Sequence, residues 1–227
     1  MTMRNVNGTY LRTQIDAIVT DLEGINMVLA NKLNITNQVE LGRAEEKISK
    51  QKAKQLFDTE EINKTEVGTF VGLAQIHRIL FEDIYDFAGK IREVNLAKGH
   101  FRFAPLMYLK QSLEHIDGMA QGSFDEIIEK YVEMNIAHPF REGNGRATRI
   151  WLDVMLKTNI GQVIDWNLVD KEAYLSAMER SVVKDIEIKQ LLKSALTDKI
   201  HDRETFMKGI DVSYYYEGYS EFRTKDL

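Results

Sequence analysis

Residues 138–149 read His138, Pro139, Phe140, Arg141, Glu142, Gly143, Asn144, Gly145, Arg146, Ala147, Thr148, Arg149, and they crowd reactive groups into one short stretch. Gly143 and Gly145 flank Asn144, a pattern whose backbone amides can turn inward as a concave anion nest while the amides of a following helix point at the same place. Such a nest suits a phosphate. Arg146 and Arg149 then fall on the first turn of that helix and share a face, which puts two guanidinium forks beside the nest. Two cations at a helix N-terminus oppose the macrodipole by about 0.3 to 1 kcal/mol each, and a bound anion offsets that cost. Glu142 supplies a hard carboxylate oxygen suited to Mg²⁺, or another divalent cation, bridging phosphates. His138, with an unperturbed pKa of about 6.5, is suited to accept a hydroxyl proton at neutral pH.

Singly, each residue has a plainer role: a helix C-cap for His138, a solvated acid for Glu142, surface ion pairs for the arginines, a simple turn for the glycines. Together they favour an anion site, because mutually useful groups are rarely assembled by chance at a helix start.

The elements that must position this loop are mostly helical. Only Pro105 and Pro139 interrupt the chain, and proline both removes an amide donor and clashes with the preceding turn. Phe70, Leu73, Leu80, Ile84 and Phe87 recur at helical steps, predicting a helix from Val67 to Phe87 that Gly89 ends. His77 lies on that apolar face and reads as a hydrogen-bonded core histidine. Val94 and Leu96 alternate before Lys98 and Gly99, and Phe101 and Phe103 after them, the pattern of a short hairpin. On the residues alone a surface loop is the favoured alternative. Ser123, with Glu126 three residues on, opens a capped helix that stops at Pro139. A new helix is expected from about Arg146, with others at about 171–182, capped by Asp170, and 185–199. The tail, 211–221, is rich in tyrosine. No linker or repeat divides the chain, so it reads as an N-terminal extension over 1–26, a main domain over 27–209 and a C-terminal segment over 210–227.

The 227 residues are 44% hydrophobic and 29% charged, ordinary globular composition that excludes a chain too polar to collapse. A net charge of -5 disfavours a nucleic-acid partner, and a DNA-binding regulator with it. The absence of cysteine removes disulfides and thiolate chemistry. No apolar run approaches the roughly 20 residues of a membrane helix, and the charges within 1–26 leave no signal-peptide core, so the expectation is a cytoplasmic chain without membrane contact.

The loop resembles the signature of the Fic family, His-Pro-Phe-x-Asp/Glu-Gly-Asn-Gly-Arg-x-x-Arg, and matches it at every fixed position; Ala88 to Arg92 and Phe101 to Pro105 extend the likeness. The resemblance implies an all-α Fic-fold core with a short β-hairpin flap, and transfer of AMP from ATP to a Tyr, Ser or Thr hydroxyl of a target protein with release of pyrophosphate. It makes His138 the general base and Glu142 the metal ligand. Gly143, Asn144 and Gly145 become the phosphate cradle, with Arg146 and Arg149 as clamps. The flap residues Val94, Asn95, Leu96 and Lys98 would register a target by strand addition. Glycine at 145, where kinase-like relatives carry lysine, favours AMP transfer; transfer of another phosphate-containing group and a nucleotide-binding regulatory module without turnover are the alternatives. A homo-oligomer is compatible with the family.

The tail pattern Ser213-Tyr-Tyr-Tyr-Glu217-Gly218 also fits the family's inhibitory motif Ser/Thr-x-x-x-Glu-Gly/Asn. The resemblance implies that Glu217 pairs with Arg149 and keeps ATP out of its productive position. Some relatives with such a glutamate also remove AMP from modified proteins. Tyr214, Tyr215, Tyr216 and Tyr219 surround Glu217 and are candidates for self-modification once inhibition is relieved.

Overall fold

A computed structural model describes residues 28–98 and 101–217, with side chains through Tyr214. The extension over 1–26 lies outside the described residues, as do Tyr219 and the side chains of Tyr215, Tyr216 and Glu217. Among the described residues there are eight α-helices: α1 (Gln38–Asp58), α2 (Phe70–Phe81), α3 (Leu106–Asp117), α4 (Phe124–Ala137), α5 (Asn144–Ile160), α6 (Lys171–Ser181), α7 (Ile186–Ser194) and α8 (Arg203–Glu217). Two antiparallel two-stranded pairs accompany them: β1 (Ala97–Lys98) with β2 (Phe101–Arg102), and β3 (Val163–Ile164) with β4 (Leu196–Thr197). The expected helical architecture with a hairpin is therefore what forms, with β3–β4 as an addition that periodicity did not signal. No helix among the described residues is long and apolar enough to cross a membrane.

Helix α5 is the central element and packs against α2, α4 and α8, while α1 packs against α2 and α8. Nearly its whole length is buried, including Trp151, Leu152, Met155 and Leu156. That burial explains its weak amphipathic pattern, since a helix covered on all sides needs no polar stripe. The Trp151 indole donates to the Thr69 carbonyl at 3.0 Å, tying α5 to the start of α2.

Helix ends follow their caps. Ser123 and Glu126 form the expected reciprocal capping box of α4, and the Asp170 carboxylate accepts the Ala173 amide at the start of α6. Thr69 caps α2 by accepting from Gly72, which sets its start at Phe70. The helix anticipated to Phe87 ends instead at Phe81. Ile84, Tyr85 and Ala88 lie in the turns that follow and are still buried, so the apolar spacing outlasts the helix. Similarly α7 ends at Ser194, because the next residues pair with β3 and the Ala195 carbonyl accepts from the Asp165 amide at 2.8 Å.

Helix α8 runs without a break through 209 and 210, where the sequence suggested a boundary. Gly209 lies against Trp166, where a Cβ would come within 3.0 Å of the indole Cδ1, so the missing side chain lets the helix approach closely. A buried Lys50 bridges Glu46 (2.6 Å) on its own helix and Asp211 (2.8 Å) on α8. Paired and buried charges of this kind specify one docking position more than they add net stability.

Candidate active site

Helix α4 ends at Ala137, and His138 turns out of it with φ 49° and ψ 62°, left-handed values that a residue with a Cβ seldom adopts. Proline at the next position disfavours right-handed helix at His138, as expected from the sequence. The chain then crosses residues 139–143 and restarts as α5. Gly143 is the N-cap at φ 76°, and a Cβ there would sit 2.5 Å from the Phe81 ring, so glycine is required both by conformation and by space. The helix therefore begins at Asn144, earlier than the expected start near Arg146, and Asn144 and Gly145 belong to its first turn.

Within the proposed cradle the roles divide. The Asn144 side chain accepts the Phe140 amide (2.9 Å) and donates to the Phe140 carbonyl (2.8 Å), so it braces the loop. The Gly143 amide donates to Glu142 Oε1 at 2.8 Å, and no side chain caps the N-terminus of α5. His77 fixes the loop from below: its Nε2 lies 2.8 Å from the Glu142 carbonyl, and its Nδ1 accepts the Gly89 amide at 2.9 Å. Its ring also stacks on Phe140, with centroids 3.8 Å apart. Burial, with help from the Arg146 charge, lowers its pKa to about 3, and the Glu142 carbonyl only partly opposes this. The reading of His77 as a satisfied core histidine holds, and the histidine supports the functional loop as well.

Both arginines are buried and reach α8. Arg146 donates to Glu45 of α1 through Nη1 and to Glu142 Oε1 through Nη2 at 2.8 Å. Its guanidinium lies 5.0 Å from the Phe81 ring centroid and 4.6 Å from that of Tyr214. Arg149 donates through Nη1 to the Ser213 hydroxyl and sits 4.7 Å from the Trp166 ring centroid and 5.1 Å from that of Tyr174. Neighbouring residues of one helix, Ser213 and Tyr214, thus engage the two arginines. Asp153, one turn beyond Arg149, accepts the Ile164 amide at 3.2 Å, and burial raises its pKa to about 7 against the pull of that bond and of Arg149.

The His138 ring stacks on Phe103 just past β2, with centroids 3.6 Å apart and planes 15° from parallel. Burial, then the charges of Arg92 and Lys98, lower its pKa to about 3 against a hydrogen bond to the Asn135 backbone. The imidazole is consequently neutral at pH 7 and can accept a proton. Of the expected flap residues, Lys98 alone lies in a strand, pairing with Phe101, while Leu96 extends the ladder by accepting the Phe103 amide at 3.2 Å. Asn95 instead caps the start of α3, accepting the Leu106 amide at 2.8 Å, and Val94 offers its carbonyl to Arg92.

Tyr214 is buried, its hydroxyl bonded to Ser49 and, at 3.3 Å, donating to the Glu45 carbonyl, and burial pushes its pKa up. Sequence reasoning missed Glu45, which also accepts from Tyr85. A signal existed: Leu41, Glu45, Ser49 and Ala53 share one helical face that is buried, and an acid on such a face calls for a partner.

The Fic/DOC family profile matches residues 69–156, which include the whole loop. The chain is 31% identical over 138 residues to the probable protein adenylyltransferase Fic of Salmonella typhimurium, covering 56% of this chain and 68% of that protein. It is 29% identical over 192 residues to the probable protein adenylyltransferase Fic of Escherichia coli, covering 78% and 91% of the two chains. The crystal structure of the BepC effector protein of Bartonella tribocorum with bound AMPPNP superposes with a TM-score of 0.61 at 18% identity, covering 76% of this chain and 94% of the other. A helical fold with a histidine closing one helix and a glycine-flanked start of the next defines the class, and this chain belongs to the Fic/DOC family. Helix α8 lies beyond the matched residues.

Proposed function

We propose that this protein is an adenylyltransferase, self-inhibited by α8, that moves AMP from ATP to a hydroxyl of a target protein. The observation that carries the reading is the neutral His138 at the end of α4, directly before the loop that leads to the uncapped N-terminus of α5. Phosphate recognition alone would need the helix start and the arginines, but no base. The similar proteins from Salmonella and Escherichia coli carry the same activity in their names.

In this reading the target hydroxyl oxygen attacks the α-phosphorus, the bond to the β-phosphate oxygen breaks, and pyrophosphate leaves. The imidazole of His138 takes the hydroxyl proton. Negative charge from the triphosphate would raise its pKa from the low value of the empty site, making it a better base when substrate is present. The amides of the α5 start stabilise charge on the transferring group. A divalent cation suits the Glu142 carboxylate, which is 39% exposed beside the nest, with phosphate oxygens and water completing its shell. Bound there it would neutralise phosphate charge. Among the described residues no cluster of acids or histidines offers a closed metal cage, which agrees with an ion held chiefly by its nucleotide.

Inhibition is read from α8. Arg149 is the γ-phosphate clamp, and Ser213 already occupies it. Glu217 lies four positions after Ser213 in the inhibitory pattern, and the family resemblance assigns its carboxylate to the same arginine. Strand addition to the hairpin edge is the docking mode for a target. The deciding experiment is incubation with ATP labelled at the α-phosphate, Mg²⁺ and cell lysate, using wild-type and Glu217→Gly protein. Label on protein is the expected result; none with either protein rejects the assignment.

A further inference from the structure

Arg92 is 3% exposed and lies outside the 138–149 loop, yet its guanidinium ties together the segments that carry the proposed chemistry. Nε donates to the His138 carbonyl at 2.8 Å and Nη1 to the Val94 carbonyl at 2.5 Å. Nη2 donates to the carbonyls of Ala104 and, at 3.3 Å, Ala137. Its own amide donates to the Pro139 carbonyl at 2.8 Å. Val94 enters the hairpin before β1, Ala104 leaves it after β2, and Ala137 and His138 close α4. One planar fork therefore satisfies the carbonyls at both roots of the hairpin and at the end of the helix that presents the imidazole.

That arrangement accounts for the left-handed backbone of His138. A residue with a Cβ persists there only when its surroundings over-determine it, and here the carbonyls on both sides of the His138–Pro139 bond accept from Arg92. The same bracket sets the ring. Phe103, stacked on the imidazole, is adjacent to Ala104, and its amide is held by Leu96 across the hairpin. A change at the hairpin root would thus reach His138 by two routes, through its backbone and through the Phe103 ring. Lysine offers a point charge and no fork, so it cannot span these acceptors.

We propose that Arg92 is a positioning residue that locks the hairpin to His138, so that a target strand added at the hairpin edge arrives in register with the imidazole. This rests on the transferase reading of the same site, and its test includes a measurement independent of turnover. The full chain is compared with Arg92→Gln and Arg92→Lys. In the wild type the stacked Phe103 displaces the ring C–H resonances of His138, assigned by their loss in His138→Ala, and both variants should return them toward exposed-histidine positions. Transfer per folded molecule, assayed well below the melting temperature, should fall by about 10²-fold. The dissociation constant for ATP should stay within about twofold, since none of the acceptors of Arg92 belongs to residues 142–149. A residue that merely stabilised the fold would lower the melting temperature while leaving resonance and kcat in place. An unchanged ring resonance, an unchanged kcat, or a loss of ATP affinity in step with kcat overturns the proposal. If wild-type protein transfers no AMP, the transferase reading falls and the resonance alone decides the bracket. Should Arg92→Gln fail to fold, Arg92→Lys keeps the charge and removes the fork, and wild-type resonances in it would overturn the requirement for arginine.

Discussion

Arg149 donates to the Ser213 hydroxyl, joining the second arginine of the active-site loop to the C-terminal helix within one chain. Under the proposed reading, substrate and inhibitor would compete for the same guanidinium. Release of α8 and occupation of the γ-phosphate position would then be linked events.

The first consequence concerns Glu217. Under the proposed reading, replacing it with glycine should raise AMP transfer by about tenfold, because the carboxylate assigned to Arg149 is lost and glycine costs helical propensity at the end of α8, loosening the Ser213 contact as well. The rate with α-labelled ATP measures it, and an unchanged or lower rate would falsify the inhibitory role.

Binding and chemistry should separate at His138. His138→Ala is expected to lower transfer by about 10²-fold to 10⁴-fold, the usual range for a lost general base, with ATP affinity nearly intact. Calorimetric titration and the label assay together check this; wild-type turnover in the variant removes His138 from the base role.

Tyr214 tests how firmly α8 is latched. Tyr214→Phe keeps the ring over Arg146 but deletes the hydroxyl that meets Ser49 and the Glu45 carbonyl, at a cost of about 1 kcal/mol. A small fall in melting temperature and a rise in transfer smaller than that of Glu217→Gly are expected. Loss of transfer instead would mean that Tyr214 serves the active conformation.

Self-modification should follow relief of inhibition, through the high local concentration of the tail. In Glu217→Gly protein incubated with ATP and Mg²⁺, AMP is expected on Tyr215, Tyr216 or Tyr219 before Tyr214, whose buried hydroxyl is already bonded to α1. Peptide mapping decides, and AMP found only outside 213–221 counts against it.

Acid should weaken the fold through His77. Its folded pKa of about 3 lies below the unfolded value, so the unfolded chain takes up the proton first. The stability of the neutral ring is complete above about pH 6.5 and falls by about 1.4 kcal/mol per unit as pH drops toward 3. His138 acts in the same direction. Asp153, raised to about 7, acts in the opposite one, gaining stability as pH falls from 7 toward 3.8. Comparing His77→Gln with wild type cancels both. Urea unfolding at pH 7.5 and 5.0 should show about 2 kcal/mol less acid destabilisation in the variant, and equal pH dependence would remove His77 as the cause.

Much of this site was legible in one dimension because its chemistry is local. His138, Glu142, Gly143 and the two arginines lie within a few turns of backbone, so spacing alone put them on one loop and one helix face, and Ser123, Glu126 and Asp170 announced helix starts through short-range capping. The ends of α2 and α7 were not legible, because Ile84 and Tyr85 stay buried after the helix stops and β4 exists only where β3 comes alongside it. The partners of the arginines depend on folding for the same reason. Glu45 stands far from Arg146 in sequence, and Ser213 far from Arg149, and neither contact leaves a periodic trace. Arg92 shows the limit most plainly: the family likeness takes it in without giving it a role, and only the packing of the hairpin against the end of α4 brings four backbone carbonyls within reach of one guanidinium. The residue types that can do chemistry are a property of the chain, whereas the choice of partner for each buried charge was decided by which helices bury it together.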